Sequence, residues 1–221
     1  MYPLLKRLMD IVLASLALLV IAVPMLLVML ILRLTGEGKV FFRQQRIGLN
    51  NRPFDLLKFV TMRSDSEKVG TITVRGDPRI LPVGRILRKT KINELPQLLN
   101  VLKGDMSLVG PRPLTQEAFD LYPDEFKPLV YQSKPGLTGI GSVVFRDEEG
   151  ILAESGKERK QCYREDIMPI KGALEVWYLR HKSLWVDIAI MALTAIAIVF
   201  PGNSLHTRIF KDLPECRVGQ L

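Results

Sequence analysis

The sequence contains only two cysteines among its 221 residues, Cys162 and Cys216. They lie far apart, and neither has a histidine nearby at the spacing of a metal ligand. A disulfide framework needs an even set of closely spaced cysteines, and a structural zinc site needs paired Cys or His ligands. The sequence therefore excludes both, and it is consistent with a reducing cytosolic environment.

A signal-peptide cleavage site is also missing, although the N-terminal part of the sequence is strongly apolar. Residues 11–32 are apolar apart from Ser15, which matches the ~20 residues that a helix needs to cross a bilayer core. The residues that follow at 34–37 (LTGE) are not the small-residue motif that signal peptidase cleaves. We therefore expect this segment to stay attached as a membrane anchor.

The topology of the anchor is not determined by its flanking charges. Lys6 and Arg7 precede it, and Arg33 and Lys39 follow it, so the positive-inside rule gives no orientation. Pro24, near the middle, removes a backbone donor and clashes with the preceding turn. A helix broken there would enter and leave on one face, whereas a spanning helix would tolerate a proline kink. The residues alone leave both topologies open.

A second apolar block occupies residues 184–200 and contains one charge, Asp187. It is slightly short for a membrane span. Two interpretations remain, a helix packed against the protein or lying at the interface, and a second spanning helix. No internal repeat or low-complexity segment occurs.

The chain is basic, with 31 Lys and Arg residues against 23 Asp and Glu residues and a net charge of +8. Such a balance fits phosphorylated substrates, anionic lipids or nucleic acid. The positive mean hydropathy of +0.15 argues against a nucleic-acid module. At this length the chain forms one domain, or a small domain with a membrane element.

The most informative region is residues 91–113, which joins an acid to several cations. Glu94 follows a basic segment that contains Arg88, and Arg112 stands between two prolines in GPRP. These prolines restrict the backbone and so orient Arg112 in advance. Because guanidinium groups pair with phosphate oxygens in forked hydrogen bonds, the pattern indicates a site for a phosphorylated substrate.

The local patterns predict short elements around this region. Residues 80–90 are typical of a basic amphipathic helix, and residues 95–102 predict a short helix with Pro96 in its first turn. Asn93 or Glu94 would then lie at the helix start, where free N–H groups favour an anion. Upstream, residues 40–42 and 53–57 are typical of short strands or extended segments, and a turn signal at 48–51 lies between them.

Several segments resemble the bacterial sugar transferases, which are monotopic phosphoglycosyl transferases. The segments follow the order of that family and are 41–48 (FFRQQRIG), 58–62 (KFVTM), 91–97 (KINELPQ), 103–113, 134–139 (KPGLTG) and 183–188 (SLWVDI). Enzymes of this family transfer a sugar-1-phosphate from a nucleotide diphosphate sugar to a polyprenyl phosphate in the inner membrane. The resemblance covers the chain from Lys6 to about Ile190.

The resemblance implies an α+β, mostly helical fold, with a re-entrant membrane helix in residues 1–36 and a cytosolic catalytic domain in residues 37–221. It implies transfer from a UDP-sugar to undecaprenyl phosphate, with release of UMP, at the cytoplasmic face of the bacterial inner membrane. This would be the first membrane step of exopolysaccharide, O-antigen or glycoprotein assembly. Mg²⁺ is the implied cofactor, inner-membrane lipids and a homodimer are implied partners, and nucleic acid is not. The sequence does not identify the sugar.

The resemblance also assigns site residues. Glu94 and Asn93 occupy the catalytic positions, and Glu94 is the candidate metal ligand. Arg88, Arg112 and Lys58 are the candidate phosphate-binding residues.

Asn93 departs from the family pattern, in which an aspartate at this position is the proposed nucleophile. A neutral amide cannot act as that nucleophile and is a poor ligand for Mg²⁺, although it caps a helix as well as Asp does. Three hypotheses follow: Glu94 acts as nucleophile or base, Asn93 is an engineered replacement, or the chain is a degenerate family member. In the last two cases the protein would be a membrane-tethered binding or assembly protein. A soluble DNA-binding protein is disfavoured by the apolar anchor.

Overall fold

Helices dominate the protein, and its strands are short. A computed structural model describes residues 1–35, 37–64, 66, 77–146, 148–200 and 204–214. The helices are α1 (Tyr2–Leu34), α2 (Pro82–Lys89), α3 (Gln97–Lys103), α4 (Gln116–Phe119), α5 (Lys127–Val130), α6 (Ile140–Val144), α7 (Glu148–Glu154), α8 (Arg159–Cys162), α9 (Met168–His181), α10 (Leu184–Val199) and α11 (Leu205–Ile209). The strands are β1 (Phe41–Ile47), β2 (Pro53–Phe59), β3 (Ser107–Val109) and β4 (Gly136–Thr138). The mostly helical fold class is thus confirmed.

The two predicted extended segments are strands β1 and β2, which form an antiparallel hairpin from Phe41 opposite Phe59 to Ile47 opposite Pro53. Its turn contains Asn50 and Asn51 with φ of 54° and 59°, a left-handed conformation that asparagine tolerates well. Since side chains directly opposite in a sheet share a face, one face of this hairpin carries the side chains of Gln44, Arg46, Leu56 and Lys58.

The predicted short helix is α3, and it begins at Gln97 rather than at Leu95. Residues Ile92–Glu94 form a separate 3₁₀ turn before it, so Asn93 and Glu94 do not stand at the start of α3. Lys91 opens that turn with a left-handed φ of 60°. The prediction that Asn93 or Glu94 lies at the start of the helix is therefore wrong, because the chain makes an extra tight turn first.

Asn100 of α3 connects this helix to the hairpin. Its side-chain oxygen accepts the backbone N–H of Leu57 at 2.9 Å, and its amide nitrogen donates to the carbonyl oxygen of Asp55 at 2.8 Å. Asn100 is only 2% exposed. Its side chain therefore pairs with backbone groups of β2 as a neighbouring strand would. It holds β2, which carries Lys58, against α3.

The apolar N-terminal segment is a single helix, α1, which continues through Pro24. Pro24 lies inside this helix and removes one backbone N–H from its hydrogen bonds. Within the described residues, α1 is the one helix long and apolar enough to cross a membrane, with a mean hydropathy of 3.0 in its most apolar part.

One face of α1 packs against the rest of the protein along the helix. Ala14 belongs to the main core, whereas Met25 and Leu32 join a second cluster with Phe59 and Leu87. The spacing of these three helix residues places them on one side. The opposite side is apolar and exposed, at Leu4, Leu8, Leu16, Leu19, Val20, Val23, Leu26, Leu27 and Leu34.

The N-terminal end of α1 is held by a fully buried carboxylate, Asp187 of α10. Its oxygens accept hydrogen bonds from the hydroxyl of Tyr2 at 2.9 Å, the ammonium of Lys6 at 2.9 Å and the hydroxyl of Tyr178 at 2.7 Å. A buried charge is tolerated when it is paired and hydrogen-bonded in this way. Asp187 therefore explains the single charge in the second apolar block.

Helix α10 packs on the protein with one side only. Ile190 and Leu193 are buried in the main core, whereas Trp185 and Ile198 are exposed. Its 16 residues correspond to ~24 Å, which is less than the ~30 Å of a bilayer core. The structure favours the packed helix over the second spanning helix. Of the two cysteines, Cys162 is buried and free, and Cys216 lies outside the described residues.

Since both ends of α1 contact the same body of protein, we predict that both ends lie on one side of the membrane. Leu4→Cys and Thr35→Cys, each in a background with Cys162 and Cys216 replaced by serine, should react with an impermeant thiol reagent from the same face of sealed vesicles. Leu4 and Thr35 are exposed in the structure, so access to the reagent is not limited by the protein. Labelling of the two positions from opposite faces would show a spanning helix instead.

Candidate functional site

A pocket lies between the hairpin, the 3₁₀ turn and the loop that follows β3. It is lined by Arg46, Leu56, Lys58, Glu94, Gln97, Arg112, Pro113, Gly136 and Leu137. Three of these side chains are cationic and one is acidic. Of the five residues proposed for the site from the sequence, the pocket brings together Lys58, Glu94 and Arg112.

Glu94 is the carboxylate of this pocket. Its Oε1 lies 3.6 Å from Nη2 of Arg112, with 20% of the Glu94 side chain and 48% of the Arg112 side chain exposed. Burial raises the pKa of Glu94, but Arg112, Lys58 and Lys91 outweigh this effect and keep the pKa below its usual value. Glu94 is therefore ionised at neutral pH and is available as a nucleophile or ligand.

Asn93 is not one of the residues that line the pocket. It is only 7% exposed, and its Oδ1 has no hydrogen-bond partner among the described residues. Adjacent residues in a tight turn project in different directions, so Glu94 faces the pocket while Asn93 is buried. The two neighbouring catalytic candidates thus occupy different environments, and Glu94 is the one that reaches the pocket.

Arg46 is a pocket residue that the sequence interpretation missed. It donates to the Oε1 of Gln44 at 2.6 Å and to the carbonyl oxygen of Pro113 at 3.2 Å. Burial and the nearby Arg112 lower the pKa of Arg46 to about 10, so it remains protonated at neutral pH. The sequence signal for Arg46 was the alternation of side chains between the two faces of a strand, which places Arg46 on the same face of the hairpin as Lys58.

Lys58 is the least favourably placed cation of the pocket. Burial and the neighbouring Arg46 lower its pKa to about 7, although Glu94 opposes this shift. Near neutral pH its side chain is therefore divided between charged and neutral forms. An anion bound in the pocket would favour the charged form.

Arg88 and Pro24 do not line the pocket. Arg88 belongs to the predicted basic helix α2, and its Nη1 lies 3.7 Å from the sulfur of Met62. It is near enough to Lys58 to contribute to the lowered pKa of that lysine. Arg88 can therefore contribute positive charge beside the pocket.

The loop that carries Arg112 is held by backbone hydrogen bonds to β4. Gly136 donates its N–H to the carbonyl oxygen of Pro111 at 2.8 Å, and Gly110 donates to Thr138 at 2.9 Å. The two chains approach so closely that a Cβ atom on Gly136 would come within 2.1 Å of the nitrogen of Gly110. Glycine at both positions permits this contact, which fixes the base of the loop.

The pocket offers little to a free metal ion. Among the described residues, no group of three or more His, Cys, Asp or Glu side chains could hold one. Glu94 is a single carboxylate among cations, whereas Mg²⁺ prefers several oxygen ligands. The donor set fits only an ion that also takes oxygens from a bound substrate, as Mg²⁺ does with phosphates.

Comparison with known proteins gives a consistent family assignment. Residues 1–201 match the family model described as bacterial sugar transferase. The UDP-glucose:undecaprenyl-phosphate glucose-1-phosphate transferase of Caulobacter vibrioides is 40% identical over 203 residues, covering 90% of this chain and 71% of that protein.

Two further relatives differ in how much of their length is covered. The UDP-N-acetylgalactosamine-undecaprenyl-phosphate N-acetylgalactosaminephosphotransferase of Aeromonas hydrophila is 36% identical, with 90% of this chain but only 44% of that protein covered. An exopolysaccharide production protein of Rhizobium meliloti is 32% identical, with 90% of this chain and 87% of that protein covered.

The charge of the pocket predicts that it binds inorganic pyrophosphate and that Arg46 contributes to this binding. Replacement of Arg46 by methionine should weaken binding by at least about tenfold, because a charge-assisted hydrogen bond is lost. Isothermal titration calorimetry of the full chain in nanodiscs would measure it.

The matched control is Arg43→Met, since Arg43 lies on the same strand with its side chain exposed on the other face. This variant should keep the affinity of the unmodified chain. Equal affinity loss in both variants would show that only the overall charge matters.

Proposed function

Because the chain belongs to the bacterial sugar transferase family, we propose that it transfers a sugar-1-phosphate from a UDP-sugar to undecaprenyl phosphate. The products would be a polyprenyl-diphosphate sugar and UMP. The observation that carries this proposal is the pocket in which Glu94 lies beside Arg46, Lys58 and Arg112. Cations around one ionised acid suit the transfer of a sugar phosphate, because they stabilise the negative charge that develops on the phosphate oxygens.

In the proposed mechanism Glu94 acts as a nucleophile. Its carboxylate oxygen attacks the β-phosphorus of the donor, and the bond from that phosphorus to the bridging oxygen breaks, which releases UMP. The acceptor is a phosphate and already carries negative charge at neutral pH. A carboxylate whose pKa is held below its usual value is a weak base, so it serves this reaction better as a nucleophile.

In the second step an oxygen of undecaprenyl phosphate attacks the same phosphorus. The acyl phosphate bond to Glu94 breaks, and the carboxylate is restored. Throughout both steps Arg112 and Arg46 would hold phosphate oxygens, with Lys58 charged once the diphosphate has bound. Asn93 takes no chemical part, because its side chain is a neutral amide and is buried away from the pocket.

In the same proposal Mg²⁺ binds together with the donor. Glu94 would supply one oxygen and the diphosphate would supply others. When bound, the ion would offset the charge of the diphosphate.

The membrane anchor supports the choice of a lipid-linked acceptor. The exposed side of α1 is apolar along the helix, and its packed side contacts Phe59, the residue next to Lys58. We propose that α1 lies in the inner membrane with both ends at the cytoplasmic face. The pocket would then be reached by a soluble nucleotide sugar from the cytosol and by a polyprenyl phosphate from the bilayer.

The central experiment measures UMP release from labelled UDP-sugars with undecaprenyl phosphate and Mg²⁺. Glu94→Gln should lower kcat by about 1000-fold or more, because the nucleophile is removed. Asp105→Asn is the control and should stay within a few fold, since Asp105 lies outside the pocket and pairs with Lys103 at 3.0 Å. Equal turnover of both variants would exclude Glu94 as the nucleophile.

A second prediction concerns Asn93→Asp. An aspartate at this position would place a charge in a site where the present Oδ1 lacks a partner. The free energy of unfolding should fall by about 1–3 kcal/mol, measured by thermal unfolding, without a rise in UMP release. If Asn93→Asp instead activates an inactive chain, the degenerate or engineered hypothesis is correct.

A further inference from the structure

A buried tyrosine holds the backbone on both sides of the Arg112–Pro113 unit. The hydroxyl of Tyr131 donates to the carbonyl oxygen of Arg112 at 2.7 Å and accepts the backbone N–H of Leu114 at 3.0 Å. Tyr131 is only 1% exposed. One hydroxyl thus satisfies two backbone groups of this loop, because it donates to one and accepts from the other.

We propose that Tyr131 is a positioning residue, which holds the backbone on both sides of Arg112 and Pro113 so that the guanidinium of Arg112 stays beside Glu94. The inference rests on the proposed function only in taking Arg112 as a ligand of the donor diphosphate. Tyr131 does not line the pocket. It acts through Arg112, whose side chain is half exposed and makes a loose ion pair with Glu94.

The physical reason is that the side chain of Arg112 is not itself fixed. An arginine with several rotatable bonds loses conformational freedom on binding a phosphate. Holding its Cα in one place reduces the number of conformations from which it can reach the ligand. The two hydrogen bonds of Tyr131 therefore affect the affinity for the diphosphate even where no chemical step occurs.

The test is a double-mutant cycle with inorganic pyrophosphate as the probe, measured by calorimetry on the full chain in nanodiscs. Tyr131→Phe should weaken binding by about tenfold in the chain with Arg112 and by less than twofold in the Arg112→Ala background. Tyr122→Phe is the matched control. Tyr122 is buried in the same cluster, and its hydroxyl bonds no described residue.

Tyr131→Phe keeps the buried ring and removes only the hydroxyl. Thermal unfolding should therefore show a folded protein, so that a change in affinity reports on the loop of Arg112.

The outcomes separate the inference from the proposed function. Equal losses with and without Arg112, or no loss in Tyr131→Phe, would overturn the positioning role. A specific loss in a chain that binds pyrophosphate but releases no UMP from any donor would support the positioning role and overturn the proposed function. Absence of pyrophosphate binding by the unmodified chain would overturn both.

Discussion

The site depends on one electrostatic constraint, the placement of a single carboxylate among several partly buried cations. Like charges in a medium of low dielectric repel strongly unless each is paired or hydrogen-bonded. Arg46 meets this need through Gln44 and Pro113, and Arg112 meets it through Glu94. Burial and the nearby Arg46 lower the pKa of Lys58 to about 7, against the opposing effect of Glu94. The pocket therefore has an excess of positive charge that a bound diphosphate would neutralise.

Much of the framework could be predicted from local sequence patterns, but the orientation of the key side chains could not. The hairpin follows from apolar and turn signals, and α2 follows from its basic amphipathic pattern. Arg46 was missed because a strand pattern gives two faces without saying which faces a pocket. The buried position of Asn93 depends on a left-handed Lys91, a conformation that no local pattern predicts.

The start of the helix after Glu94 also differs from the sequence prediction. The helix expected from Leu95 starts at Gln97, because residues Ile92–Glu94 form their own turn. This shift makes the chemistry of the acid depend on neighbouring cations rather than on a helix dipole. The effect on Glu94 is correspondingly short-range, since its pKa is set by Arg112, Lys58 and Lys91 against its own burial.

The way in which α1 is attached limits where the pocket can stand relative to a bilayer. The start of the helix is tied to Asp187, and Leu32 near its end packs with Phe59 and Leu87. Because both ends of α1 contact the rest of the protein, the pocket keeps a fixed position relative to the apolar face of this helix. Phe59, which packs with α1, is adjacent to Lys58 of the pocket on β2. Under the proposed function, a polyprenyl phosphate and a nucleotide sugar would then meet at Glu94 without a large movement of the chain.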